Sequence, residues 1–255
     1  MPQRTFVKRL PLAERWRLDA EADGLARIAE AGVIRVPQVL GGSADDSEAW
    51  LELEWLELRV ADAASDARMG EALARLHAVG ADAFGFARDN AIGATLQPNA
   101  PSNDWIAFLR ERRLAYQLDL AARNGYRGLL QERGQRLLEN LPDFFAGHRP
   151  RPSLLHGDLW AGNRAMLADG TPVVFDPAVH YGDREADLAM TRLFGGFGPR
   201  FYAAYEAAWP LDAGAESRCD LYNLYHVLNH LNLFGGGYRV QAEKMIDRLL
   251  AIAGR

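Results

Sequence analysis

The eight residues His156-Gly157-Asp158-Leu159-Trp160-Ala161-Gly162-Asn163 constrain this chain most. They lie in a region whose apolar residues otherwise recur at helical spacing. Two glycines and two backbone-competing side chains break that pattern, so this stretch reads as a loop. Asp158 and Asn163 are five positions apart, and a loop of four intervening residues can turn both side chains into one cleft. Leu154-Leu155 leads in. Residues 164–167 and 173–175 then read as a hairpin around Ala168-Asp169-Gly170-Thr171. Asp176 stands at its exit, eighteen positions after Asp158. Any fold for this chain must seat that loop and hairpin between helices.

The flanking sequence divides in two. Residues 5–10 alternate apolar and polar and read as a strand that Pro11 stops. Residues 14–31 read as an amphipathic helix with Leu18, Ala22, Leu25, Ile28 and Ala29 on one face and Gly32 as its stop. Residues 36–40 and 49–56 read as two further strands, with Gly41-Gly42-Ser43 and Asp45-Asp46 as the turn. Beyond residue 60 the pattern is helical over 67–78, 103–124 and 131–141, and again from 185 to 253, with breaks at Gly195-Gly196, Pro210 and Gly235-Gly236-Gly237. Residues 84–102 form a long Gly/Asn/Pro-punctuated connection, a type that is often functional. The expected organisation is a small lobe over 1–57, too small to bury much core alone, and a larger lobe over 58–255.

Composition excludes several classes. Hydrophobic residues make up 49% and charged residues 25%, as in an ordinary globular domain. The net charge of −5 does not favour a nucleic-acid partner. No apolar run nears the roughly 18 residues that span a bilayer, and the first twelve residues carry no apolar core of a signal peptide. Cys219, the single cysteine, fits a reducing cytosol. Of 29 basic residues only Lys8 and Lys244 are lysines. A GC-rich genome accounts for the arginines, so each lysine is a place to look for a site that needs a compact point charge.

Protein kinases place a catalytic aspartate and a metal-binding asparagine in H-R-D-x-x-x-x-N, and a second metal-binding aspartate after the next hairpin. Here glycine replaces the arginine, and Asp176-Pro177-Ala178 stands where kinases have D-F-G. Phe6-Val7-Lys8 resembles the strand that carries the phosphate-binding lysine. Glu21 in the following helix is the preferred partner of Lys8, over Asp19 and Glu14. The longer motifs narrow the resemblance. The 156–163 loop with Trp160, the run 176–190 from Asp176 to Met190, Leu193-Phe194-Gly195-Gly196-Phe197, residues 221–226, 90–99 and 105–120 together resemble the fructosamine kinase (ketosamine 3-kinase) family.

That resemblance implies an α+β, protein-kinase-like two-lobed fold, and ATP- and Mg²⁺-dependent phosphorylation of a sugar hydroxyl on fructosamine or ribulosamine adducts, small or protein-bound. Carried over by position, Asp158 would be the catalytic base and Asn163 and Asp176 would hold Mg²⁺. Lys8 would hold the nucleotide phosphates with Glu21 orienting it, and backbone groups of Glu54 and Leu56 would meet adenine. Trp160 would serve either as a sugar platform or as packing, His156 would tie the loop backbone, and Asp187 would brace it from a helix start. His226 and His230, four apart, read as core packing more readily than as a metal pair.

The family's glycine-rich loop lies on a strand pair before the lysine, and only seven residues precede Lys8 here. The expectations that follow are an N-terminal lobe shortened by two strands, a start placed too late, or a strand edge that a second copy completes. Alternative readings are an impaired, nucleotide-binding pseudokinase and a kinase for an aminoglycoside or choline-type substrate.

Overall fold

The computed structural model describes residues 4–253. Strand β1 (Thr5–Pro11) ends at its proline and passes through a tight 3-10 turn, Leu12–Glu14, into helix α1 (Arg15–Ala31). Leu18, Leu25 and Ile28 form the buried face of α1. Gly32 closes the helix in the left-handed conformation, φ 66°, its N–H donating to the Ala29 carbonyl.

Strands β2 (Val39–Ala44) and β3 (Glu48–Glu54) complete an antiparallel sheet in the order β1-β3-β2. Here the structure departs from the sequence reading. Gly41, Gly42 and Ser43 are strand, not turn, and the register shifts between Val39 and Gly41. A Cβ on Gly42 would lie 3.0 Å from the Trp50 carbonyl, so glycine there permits close strand approach. The turn falls at residues 45–47, where the Asp45 carboxylate accepts from the Ser47 and Glu48 N–H groups at 2.8 and 2.9 Å. β1 lies at the sheet edge, with Phe6 and Val7 exposed.

Helix α2 (Ala63–Ala78) begins four residues before the expected start, because Asp62 and Ser65 form a reciprocal capping box. The connection over 84–102 is also more ordered than its composition suggests. It folds back as a hairpin of two three-residue strands, β4 (Asn90–Ile92) and β5 (Thr95–Gln97). Strands that short show no alternation to detect.

Asp104 caps helix α3 (Trp105–Phe108), accepting from the Ile106 and Ala107 N–H groups. The helix widens to π geometry over Leu109–Ala115 and continues as α4 (Tyr116–Arg123). Helix α5 (Leu129–Glu139) follows, then strand β6 (Ser153–Leu155). The expected hairpin is present as β7 (Arg164–Met166) and β8 (Pro172–Val174). Strand β9 (His180–Gly182) pairs with β6. Four helices close the chain: α6 (Glu185–Leu193), α7 (Pro199–Ala208), α8 (Ala215–Phe234) and α9 (Tyr238–Ala253). Their breaks fall at the predicted glycines and at Pro210.

Two apolar cores hold these elements. One lies among α3–α5, α8 and α9, around Phe108, Leu228 and Ile246. The other joins the three-stranded sheet and α1 to α2, β6 and α7, through Leu25, Leu51, Leu73 and Phe201. The small sheet thus shares its core with the helical body. Gly70 sets the α2–α7 approach, since a Cβ there would lie 2.3 Å from the Phe201 carbonyl. No helix among the described residues is long and apolar enough to cross a membrane.

Candidate active site

The loop after β6 is built by two buried side chains. His156 is fully buried, and burial lowers its pKa, so the ring is neutral. Its Nε2 bonds the Phe175 carbonyl at 3.0 Å, and its Nδ1 accepts from the Asp158 N–H at 3.3 Å. The imidazole thus ties the Asp158 loop to the strand end that carries Asp176, as the sequence reading expected.

Asp187, in the first turn of α6, accepts from the His156 and Gly157 N–H groups at 2.7 and 2.8 Å and contacts His77 Nε2 at 3.1 Å. His77 Nδ1 in turn contacts the Tyr205 hydroxyl at 2.8 Å, and Arg184 donates to that hydroxyl at 3.2 Å. Burial opposes ionisation of Asp187, but the His77 ring, by hydrogen bond and charge, together with the Gly157 N–H outweighs it and leaves the Asp187 pKa lowered. The sequence points to Asp187, and to Arg184 only as part of the 176–190 run without a role, but not to His77 or Tyr205. Nothing in the spacing of His77 and Tyr205 announces them. Gly157 has φ 83°, and a Cβ there would lie 2.1 Å from the Ala178 carbonyl.

Asp158, Trp160, Asn163, Asp176, Lys8 and Glu21 line one cleft of about 550 Å³. Burial pushes the Asp158 carboxyl up to about 7, against the opposing bond from Asn163. Asn163 Nδ2 donates to the Asp158 carbonyl at 2.9 Å and to its Oδ2 at 3.2 Å. Asp176 takes φ 56°, the one positive value at a non-glycine among the described residues. Trp160 is 40% exposed and meets Phe194 edge-on, with centroids 6.2 Å apart. Gly162 makes room for that indole, since a Cβ there would lie 2.2 Å from the ring.

From β1 the Lys8 ammonium enters the same cleft. It donates to Glu21 Oε1 at 2.6 Å and also bonds the Asp176 carboxylate. Burial lowers the Lys8 pKa, but Glu21 and Asp176 more than restore it, so the ammonium is charged. Burial raises the Glu21 pKa despite the ion pair. Of the three acids weighed for Lys8, Glu21 makes the contact. Asp19 and Glu14 pair with Arg15 and Arg17 instead.

Glu54 and Leu56 do not join this set. Glu54 ends β3, where its carboxylate binds Arg35 and accepts from the Gln38 N–H at 3.1 Å, and its own N–H donates to the Gln38 carbonyl at 2.8 Å. Leu56 lies half-buried just beyond the strand.

The donor set fits a hard divalent cation. Asp176 offers carboxylate oxygens, and Asn163 spends its Nδ2 on Asp158, which leaves Oδ1 as a donor. No such ion is needed at His148, Asp183 and Glu185, whose ligand atoms also cluster. Glu185 is taken up by Arg218 at 2.7 and 2.9 Å, and Asp183 by His148 and Tyr222. His226 and His230 build no metal pair either, because His230 Nδ1 bonds the His226 carbonyl at 2.7 Å.

A lysine–glutamate pair facing an Asp-x₄-Asn loop and a second aspartate, between a small antiparallel sheet and a helical body, defines a phosphotransferase of the protein-kinase-like fold. The comparisons narrow that class, and the chain belongs to the fructosamine kinase family. The family model for fructosamine kinase matches residues 1–252. A Synechocystis protein named a probable ketoamine kinase is 46% identical over 252 residues, covering 98% of this chain and 84% of its own. The chloroplastic protein-ribulosamine 3-kinase of Arabidopsis thaliana is 42% identical over 235 residues, covering 91% of this chain and 72% of its own. Among solved structures, a chain described as a fructosamine-3-kinase from Haemophilus somnus superposes with a TM-score of 0.89. Its sequence identity is 31%, and the match covers 98% of this chain and 84% of that one.

Proposed function

We propose that this chain transfers the γ-phosphoryl group of ATP to a sugar hydroxyl of a ketosamine, a fructosamine or ribulosamine adduct of an amine. The observation that carries the reading is the Lys8–Glu21 pair, whose ammonium also reaches Asp176 in the cleft of Asp158 and Asn163. The relatives' names, ketoamine kinase and protein-ribulosamine 3-kinase, support the substrate class.

Each side chain has a task in that reaction. Asp158, with its carboxyl pushed up to about 7, takes the proton of the attacking hydroxyl. Asn163 aims that carboxylate by donating to it and offers its own carbonyl oxygen to a cation. Asp176 is the second cation ligand. Bound Mg²⁺ would supply neutralisation of the phosphate charge. Lys8 places a compact charge on the phosphates, and Glu21 fixes its direction. Adenine would lie at the end of the sheet against the backbone of Glu54 and Leu56, with the Glu54 carbonyl as the acceptor, because its N–H is taken by Gln38. Trp160 offers one ring face to the sugar at the cleft rim. We take residues 1–57 as the nucleotide lobe and 58–255 as the catalytic and substrate lobe, acting in the cytoplasm.

The test is phosphorylation of a synthetic fructosamine with Asp158→Ala. Loss of turnover by about 10²–10⁴ with an unchanged melting temperature is expected. Wild-type turnover in that variant would overturn the mechanism. No turnover by the wild-type chain on fructosamine or ribulosamine would overturn the substrate class.

A further inference from the structure

The β4–β5 hairpin carries a chain of buried amides that the catalytic residues do not account for. Gln97 and Asn99 are fully buried and Asn90 nearly so. Gln97 Nε2 donates to Asn90 Oδ1 at 2.8 Å and to the Ala178 carbonyl at 3.1 Å. Asn90 Nδ2 donates to the Val179 carbonyl at 2.7 Å. Asn99 Nδ2 donates to Asn90 Oδ1 at 2.9 Å. Two outer groups anchor the three amides. The Tyr225 hydroxyl of α8 donates to Gln97 Oε1 at 2.8 Å, and Arg113 donates to Asn99 Oδ1 at 2.7 Å. Arg113 comes from the π-helical stretch, where a widened turn commonly marks a functional site.

Asn90 and Gln97 converge on Val179 and Ala178, three and two residues after Asp176. The other side of that segment faces the catalytic loop. The Ala178 N–H donates to the His156 carbonyl at 2.8 Å, and Gly157 packs on the Ala178 carbonyl. Asp176 itself sits at φ 56°, a conformation that persists only where the surroundings over-determine it. A hairpin needed for packing alone would bury aliphatic side chains. Three buried amides cost desolvation that only a fully bonded network recovers.

We infer that Asn90 and Gln97 are positioning residues that hold Asp176 in its cation-binding conformation through the Ala178 and Val179 carbonyls. Asn99, Tyr225 and Arg113 hold them in turn. The same connection reaches the other wall of the cleft, because Arg88 bonds Asp23 of α1 at 2.6 Å, in the helix that carries Glu21. The inference rests on Asp176 as a cation ligand but not on the identity of the phosphoryl acceptor.

The test uses Gln97→Met, with Tyr225→Phe as the milder variant that removes one hydroxyl. Hydrogen exchange is read for a peptide spanning 176–181 against one from α9, and Mn²⁺ binding with ADP by electron paramagnetic resonance. For Gln97→Met, exchange in 176–181 rises about tenfold and Mn²⁺ affinity falls about tenfold, while α9 is unchanged. For Tyr225→Phe both shifts are about threefold. If Gln97→Met does not fold, Tyr225→Phe decides alone. Wild-type exchange in 176–181, exchange raised equally in α9, or unaltered Mn²⁺ affinity would each overturn the inference. A wild-type chain that binds Mn²⁺–ADP yet phosphorylates no ketosamine removes the proposed substrate and leaves this test standing.

Discussion

Lys8 and Glu21 meet at 2.6 Å, strand to helix, and the pair closes one wall of the cleft. The ammonium is small enough to serve the Asp176 carboxylate as well. A guanidinium keeps the charge but presents a wide planar fork to two carboxylates spaced for a point charge. Lys8→Arg is therefore expected to lose about 1.5–3 kcal/mol, roughly 10- to 150-fold in kcat/KM for ATP. Lys244 is exposed on α9, so Lys244→Arg should change nothing measurable. Steady-state kinetics on both variants check this, and equal effects would refute the role of Lys8.

Asp187 holds two backbone N–H groups of the 156–163 loop and the His77 ring, all buried. Asp187→Asn replaces one acceptor oxygen with a donor and removes the charge. One of the three bonds is then lost with a donor facing it. The expected cost is about 2–4 kcal/mol of stability, since hydrogen bonds to charged groups contribute about 1.5–3 each. Urea denaturation measures it. The lowered Asp187 pKa also fixes a sign. Its contribution is fully present above the unfolded value near 4 and fades as pH falls through the lower folded value. The variant should lose less stability than the wild type on acidification below pH ~4.

The side chains that line the cleft are the legible part of this chain, and the reason is local. Asp158 and Asn163 share one loop, Asp176 ends the next hairpin, and Lys8 and Glu21 lie on adjacent elements. Short separations leave a pattern in sequence. The Asp187–His77–Tyr205 chain spans 128 residues between its hydrogen-bonded members His77 and Tyr205, and the tertiary fold alone unites them. The hairpin over 90–97 was hidden for another reason. Its strands are three residues long, and its amides serve carbonyls more than eighty residues away. Gly41-Gly42 reads as a turn because glycine signals a turn more often than a strand irregularity or a close strand approach, yet in β2 Gly41 follows a register shift and Gly42 lies close to the Trp50 carbonyl.

His148 should make stability depend on pH in the opposite direction. Its Nε2 faces Asp183 and its Nδ1 faces Asp212, each at 2.8 Å, so both ring nitrogens donate when the imidazole is charged. Glu185 also lies within 3.8 Å, itself paired with Arg218, and the Tyr222 hydroxyl donates to Asp183. Burial lowers the His148 pKa, but these carboxylates raise it further, above the ordinary value. A raised folded pKa contributes stability that is complete below the unfolded value near 6.5 and is lost as pH rises through the folded value. Thermal denaturation between pH 6 and 9 should show a falling melting temperature that His148→Gln flattens. An equal slope in the variant would refute the assignment.

Trp160 separates substrate contact from packing. It is 40% exposed, meets Phe194 edge-on, packs over Gly162 and lines the cleft beside Asp158. A core tryptophan would be covered, and its removal would cost stability first. A rim platform loses binding first. Trp160→Ala should raise KM for a fructosamine by roughly 3- to 10-fold, the worth of one stacking contact of about 0.5–1.5 kcal/mol. The KM for ATP should be unchanged, because Lys8 and Glu21 on the opposite wall hold the nucleotide in this reading. Trp160→Phe retains a ring face and should recover most of the loss. The discriminating measurement is the pair of KM values together with the melting temperature. A large drop in melting temperature with an unchanged fructosamine KM would make Trp160 a packing residue and would move the sugar site elsewhere in the cleft.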